Sequence, residues 1–237
     1  MNEGKCEHIV FSPSPRQMNI VMDGRLEADT VKLLGVTITN DYKFTKHTSS
    51  VVSRMTARFP YVTRLKKFMT KENLTKVANS VVMSIPRYAA EVYCSTDKIQ
   101  RRIQRSQNTL MRIILDPPKR TSVATMLRRT GWLNVKLHTD LSKLMLLRSC
   151  VISNSSEAVS TQLRLGSINA EHRYGTRSRD WKIAWAPVLV KHARAFLPST
   201  VKLYNRLNLC SQGLGEKKEF KSRAKSKLLT IFDNDNL

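Results

Sequence analysis

Apolar residues change their period near residue 40, and that change limits the fold more than any other feature of the chain. Before it, they recur every second residue, as in a strand with one covered face. Segment 8–11 is short and β-prone, and Ser12-Pro13-Ser14-Pro15 ends it. Segment 18–22 is a second such run. Asp23-Gly24 follows it, a pair that tolerates the positive φ of a two-residue hairpin turn, and 25–27 would return. Segment 31–39 is the clearest strand: Leu34, Val36 and Ile38 alternate with Leu33, Gly35 and Thr37. Gly35 in its interior has nothing to pack and marks a bulge or a close approach by another backbone.

Beyond Asn40 the spacing is helical. Phe44, Val51, Met55, Phe59 and Val62 share a face, and Pro60 is expected to kink or break the helix they form. Thr70 is placed to cap a second helix, with Glu72 in its first turn and Leu74, Val77, Val81 and Ile85 along one side until Pro86 interrupts it. A third helix is expected from Ser95 to the stop at Asp116-Pro117-Pro118. Its Ile99, Ile103, Leu110 and Ile114 fall within an arc of about 60°, and Arg101, Arg105 and Arg112 within about 40° on the opposite side.

Segments 121–129 and 135–151 read as two more helices, the longer with Leu137, Leu141, Leu144 and Leu147 toward the core. Ser153-Asn154-Ser155-Ser156 is a loop, and about thirty residues after it have no clear period. Pro187 is suited to open a helix that Pro198 breaks, with 201–207 continuing as a short one. In the tail, Phe220, Ala224, Leu228 and Ile231 share a face that Lys217, Lys221 and Lys225 avoid. The expected fold is therefore α+β and predominantly α-helical, a small N-terminal antiparallel sheet followed by helices. It divides into 1–42, 43–154 and a basic, mainly helical 155–237.

Charge narrows the function. Lys and Arg number 41 against 18 Asp and Glu, a formal net charge of +23 among 237 residues, which attracts polyanions, nucleic acid above all. The surplus is concentrated: 43–76 holds nine basic residues and one acid, and 97–150 holds twelve and three. Phosphate contacts need cationic heads converging on one face, and arginine adds a planar bidentate fork. The Arg101, Arg105 and Arg112 stripe has that arrangement, against the plainer reading of a solvated helix face. Arg64, Lys66 and Lys67 form a second cluster, suited to grip a backbone or to serve in nuclear import, and equally a solvated helix end. Trp132, Trp181, Trp185 and the tyrosines have faces on which bases stack, although large residues of this kind are more often core.

Other chemistry finds little purchase. No apolar run approaches the roughly 18 to 20 residues of a membrane span, and the start of the chain has no signal pattern. An intracellular location, nuclear or cytoplasmic, is expected, without membrane contact. Cys6, Cys94, Cys150 and Cys210 lie far apart and read as free thiols. His8, His47, His138, His172 and His192 include no i,i+4 pair. Asp233-Asn234-Asp235 lacks the glycine and distant glutamate of a calcium loop, and Gly213-Leu214-Gly215-Glu216-Lys217 lacks the spacer of a phosphate loop. No Asp-Asp pair occurs, so nothing evident supplies the carboxylates of a two-metal centre.

The segment Asn2-Glu3-Gly4-Lys5-Cys6-Glu7-His8-Ile9-Val10-Phe11 has the pattern N-x-x-K-C-E-x-x-x-F. Val31-Lys32-Leu33-Leu34-Gly35-Val36-Thr37-Ile38 has K-x-L-G-V-x-I, and Phe44-Thr45-Lys46-His47 has F-x-x-H. Ile103-Gln104-Arg105-Ser106-Gln107-Asn108 follows, with Leu110, Arg112 and Ile113, then Tyr174-Gly175-Thr176-Arg177 and the run 198–207. In this order they resemble the C-terminal part of reverse transcriptases from non-LTR retrotransposons, the jockey-like and related elements. Leu33 stands where an aromatic is usual. The resemblance implies the end of a palm, a thumb-like helical bundle and a closing region. It places Lys5 at the motif D lysine, which assists pyrophosphate departure, and Leu34 and Gly35 where a primer strand is gripped.

The family's catalytic aspartates lie before the segment matched at Asn2. The resemblance therefore implies a fragment that is no enzyme on its own and needs no cofactor, Mg²⁺ belonging to a full-length RNA-directed DNA polymerase. Its implied partner is an RNA–DNA hybrid or structured RNA, held by the thumb surface. Two other readings stand beside it: an interaction module that pairs an exposed sheet edge with another chain, and a decayed, non-functional gene product.

Overall fold

Strand gives way to helix where the period changes. A computed structural model describes residues 9, 28–41, 43–153, 196–207, 209 and 216–234. The expected strands at 8–11 (Ile9 apart) and 18–27, the Asp23-Gly24 turn, Lys5 and the Tyr174-Gly175-Thr176-Arg177 segment lie outside these residues, as do Trp181, Trp185 and Pro187. The described fold is α+β and mostly helical, a two-stranded antiparallel sheet followed by helices.

The sheet corrects one expectation. Residues 31–39 are not one strand but a hairpin: β1 (Thr30–Leu33) pairs with β2 (Val36–Thr39), Leu33 opposite Val36 and Thr30 opposite Thr39. Leu34 and Gly35 are the turn, both with positive φ, 46° and 81°. Two-residue turns of this hand match the right-handed twist of the strands they join, so the turn wins over the aversion of leucine to positive φ. The strain at Leu34 is on the order of 1 kcal/mol. Tyr88 holds the turn in place, its Oη donating to the Leu34 carbonyl at 2.7 Å.

β2 leads into the helices through a short corner. The Thr39 hydroxyl, 2.5 Å from Asp41 Oδ1, and the Lys43 N–H hold the Asp41 carboxyl down at about 2. Phe44 is buried before α1 (Thr45–Thr56), which turns His47, Thr48, Val51 and Met55 inward. The buried His47 ring accepts the Thr37 N–H on Nδ1 at 3.2 Å and so fastens α1 to β2. Burial, with Arg54 nearby, pushes the His47 pKa below its usual 6.5.

A break falls before Pro60 as expected, but Pro86 does not interrupt the second helix, which already ends at Val81. Pro60 lies in the first turn of α2 (Phe59–Leu65), where its missing N–H costs nothing. Thr70 caps α3 (Lys71–Val81) by accepting the Asn73 N–H at 3.3 Å. Leu74 and Ala78 are its buried residues, and Val81 turns outward, 43 % exposed, instead of joining their face. Pro86 is inside the short α4 (Ser84–Arg87), and α5 (Ala90–Tyr93) follows. Then α6 (Asp97–Leu115) runs nineteen residues and ends at Asp116, whose φ of 49° and the two prolines behind it stop the helix. Ser122 caps α7 (Val123–Thr130), and Gly131 closes it at a φ of 67°.

The remaining helices are α8 (Val135–Ser153), α9 (Phe196–Arg206) and α10 (Lys217–Asn234). Pro198 does not break α9 but lies in its first turn, a position that asks for no N–H bond.

The chain forms two compact units, Met1–Ala89 with Arg105–Thr121, and Ala90–Gln104 with Ser122–Leu237. In the first, α1 meets α4 and β2, and α3 meets α2 and α4. In the second, α8 meets α5, α9 and α10. A helix with neighbours on several sides must be apolar around much of its girth. Accordingly Val135, Leu137, Leu141, Leu144, Leu147 and Cys150 of α8 are all buried. Tyr204 stacks on Phe220 with ring centroids 6.5 Å apart, and the Arg148 guanidinium sits 5.9 Å from the Phe220 centroid.

Candidate nucleic-acid interface

The amphipathic pattern of α6 sorts its side chains cleanly. Ile99, Ile103, Leu110, Met111 and Ile114 are buried, while Lys98, Arg101, Arg102, Arg105 and Arg112 are exposed. Thr109 completes the outward row. Asp97 at the start is the helix's one acid, and among the described residues no carboxylate forms an ion pair with Arg101, Arg105 or Arg112. Arg101 Nε donates to its own helix, to the Asp97 carbonyl at 3.3 Å. The inner face explains why the helix is held firmly, since Ser106 and Gln107 are its only buried polar residues. Gln104 Oε1 also accepts the Val135 N–H at 2.8 Å and satisfies a donor that opens α8.

The second cluster divides on inspection. Arg64, on the last turn of α2, and Lys67 just after it are exposed. Lys66 instead bridges to Asp116 Oδ2 at 3.1 Å and is half-buried. That contact joins the end of α2 to the residue that stops α6. Lys71 works similarly, its Nζ donating to the Leu115 carbonyl at 3.1 Å at the negative end of the α6 dipole. Arg58 donates to the Val81 carbonyl at the end of α3. Part of the cationic surplus is thus used inside the first unit, on the carbonyls and carboxylate that close helices.

Leu34 and Gly35 sit at the hairpin tip, with Leu34 82 % exposed. A Cβ at Gly35 would meet Tyr88 Cε1 at an ordinary 3.7 Å, so backbone conformation and not space demands glycine there. The expected motif D lysine, Lys5, is outside the described residues.

The aromatics redistribute. Trp132, Tyr93 and Tyr204 are buried, and Tyr61 and Tyr88 are not. Tyr61 is 62 % exposed and Phe68, which sequence reasoning passed over, is 83 % exposed. Their signal was the coincidence of aromatic and basic positions on one helical face, which residue type alone hides.

Among the described residues, no group of three or more His, Cys, Asp or Glu is placed to hold a metal ion, and no helix is long and apolar enough to cross a membrane. Cys94 and Cys150 are buried thiols outside any disulfide among the described residues, and burial pushes the Cys94 thiol pKa up despite a hydrogen bond with Thr139. Burial also raises the Asp140 carboxyl, against the pull of Lys143 and Lys136. Comparisons with family models, curated proteins and solved structures give no match for the chain.

Proposed function

We propose that this chain is the post-palm region of a non-LTR retrotransposon reverse transcriptase, working as a nucleic-acid-binding element and not as a polymerase by itself. Its ligand is the sugar–phosphate backbone of an RNA–DNA hybrid or structured RNA, in the nucleus or cytoplasm, with no cofactor of its own. The observation that carries this reading is the outward row of α6, five cations from Lys98 to Arg112 with no acid between them. Such a row follows a phosphate backbone and reads no sequence. Tethering by counterion release makes affinity fall steeply with salt.

The test is fluorescence anisotropy with an RNA–DNA hybrid, duplex DNA and single-stranded RNA across a salt titration. Wild-type protein is expected to prefer the hybrid. The triple change Arg101→Glu, Arg105→Glu and Arg112→Glu should flatten the salt slope by about 3, since each duplex phosphate contact contributes about 0.9. An unchanged slope would remove α6 from the interface. Equal, weak binding of wild type to all three ligands would leave only nonspecific charge and sink the polymerase ancestry as an account of function.

A further inference from the structure

The outward face of α2 differs in kind from that of α6. Tyr61, Arg64, Leu65 and Phe68 follow the spacing i, i+3, i+4, i+7, which confines them to an arc of about 100°. Lys66 N–H donates to the Val62 carbonyl, and beyond it the chain tightens into 3₁₀-type turns, Lys67 N–H donating to Arg64 and Phe68 N–H to Leu65, which keeps Phe68 on the side of Leu65. Val62 takes the opposite side and is buried, with Phe59 and Met69 half-buried. The stripe is therefore the solvent side of a helix whose inner side is already satisfied.

Two large aromatic rings at 62 % and 83 % exposure on one face are not leftover core. Surface apolar residues scattered singly mean little, but a contiguous row marks a binding surface. Arg64 belongs to the row and Lys67 borders it, so an apolar partner must also be anionic. Lys66, turned to Asp116, leaves the row to those two cations. A ring face beside a phosphate-binding cation is the pattern that recognises unpaired nucleobases, where each ring stacks a base and each cation meets the backbone. Tyr61 and Phe68 are seven residues, about two turns, apart, so each ring is free to take a separate base.

The geometry points to a base-stacking platform on α2 and the turn that follows it, formed by Tyr61 and Phe68 with Arg64 and Lys67, for single-stranded RNA or DNA. It rests on the nucleic-acid reading above and adds to it a second, chemically different contact. The α6 row holds backbone charge, and the α2 row holds exposed bases.

An abasic oligonucleotide separates the two contacts, having the same phosphates and no bases. Wild-type protein is titrated with a twelve-nucleotide oligo-uridine and with its abasic counterpart, by anisotropy at one salt concentration. The expected result is that uridine binds roughly thirtyfold more tightly, two bases stacked at the low end of measured stacking contributions. Tyr61→Ala with Phe68→Ala should abolish the difference while leaving hybrid affinity and the salt slope intact. Tyr61→Trp with Phe68→Trp should preserve it. Both pairs are solvent-facing, and a circular-dichroism melt checks that each variant keeps the wild-type fold. Equal affinity of wild type for the two oligonucleotides, with hybrid binding still sensitive to the α6 reversal, overturns the platform alone. No binding to any of the three ligands overturns the nucleic-acid reading together with it. A difference that survives the double alanine variant assigns stacking elsewhere and overturns Tyr61 and Phe68.

Discussion

α2 and α6 both turn cations outward, yet their outer faces differ in composition. On α6 the outward row is arginine and lysine broken only by Thr109, and no large apolar residue is exposed. On α2 and the turn after it, two aromatic rings and a leucine share the outer face with Arg64. Charge alone recognises a backbone of any sequence, whereas charge beside a ring recognises a base taken out of its pair. The difference also separates stability from binding: α6 contributes a deep apolar side to the core, while α2 buries little beyond Val62.

The largest expected effect tests that last contrast. Leu110→Asp puts a charge at a fully buried site of α6 and should cost about 4 kcal/mol or more, read as a fall in urea midpoint. Tyr61→Asp on the outer face of α2 should stay within about 0.5 kcal/mol of wild type. Equal losses would mean that the Tyr61 ring is structural. Next in size, Arg64→Glu with Lys67→Glu should lower the salt slope for single strands by about 1.4, at about 0.7 per phosphate. The slope for hybrid should not move in that variant.

A smaller effect sharpens the division within the basic cluster. Lys66→Ala loses a bridge between partly exposed groups, a cost below about 1 kcal/mol, and should leave both salt slopes unchanged. A drop in either slope would return Lys66 to the interface.

Acid should act on both surfaces alike, through the fold. His47 has a lowered pKa when folded, so the unfolded chain binds the proton more readily. The stability it contributes is full above the ordinary value of 6.5 and declines as pH falls below it toward the folded pKa. Thermal midpoints between pH 7.5 and 5.5 should show this decline. His47→Asn, which keeps an acceptor for the Thr37 N–H, should reduce it.

Helix limits were legible where one residue decides them locally. Thr70 announces a cap, Pro60 a break and Pro117 a stop, because each acts through its own backbone or side chain. The α6 faces were legible because burial on one side alone leaves a strong period. The Leu34-Gly35 turn was not. Leucine disfavours positive φ, and only the pairing of Thr30–Leu33 with Val36–Thr39 compels it at Leu34. Nor did Val81 follow its period, since α3 ends there and Arg58 closes it from elsewhere in the chain. Lys66 could not be told from Lys67 in the sequence. Their difference lies in Asp116, fifty residues away, and charge patterning along one segment cannot see it. Phe68 was missed because aromatic residues are ordinarily buried, and exposure is a property of what the rest of the fold leaves uncovered.

The bond from Tyr88 to Leu34 crosses 54 residues, and that separation sets an order of events during synthesis. The hairpin can close within microseconds, since its strands are adjacent. Its tip cannot be fastened until Tyr88 has left the ribosome, roughly 3 to 11 s later at 5 to 20 residues per second. Closing a span of that length also costs about 3.5 kcal/mol in chain entropy unless helices in between shorten it first. The nascent chain therefore carries an unanchored apolar tip, Leu33 and Leu34, through the interval in which α1, α2 and α3 form.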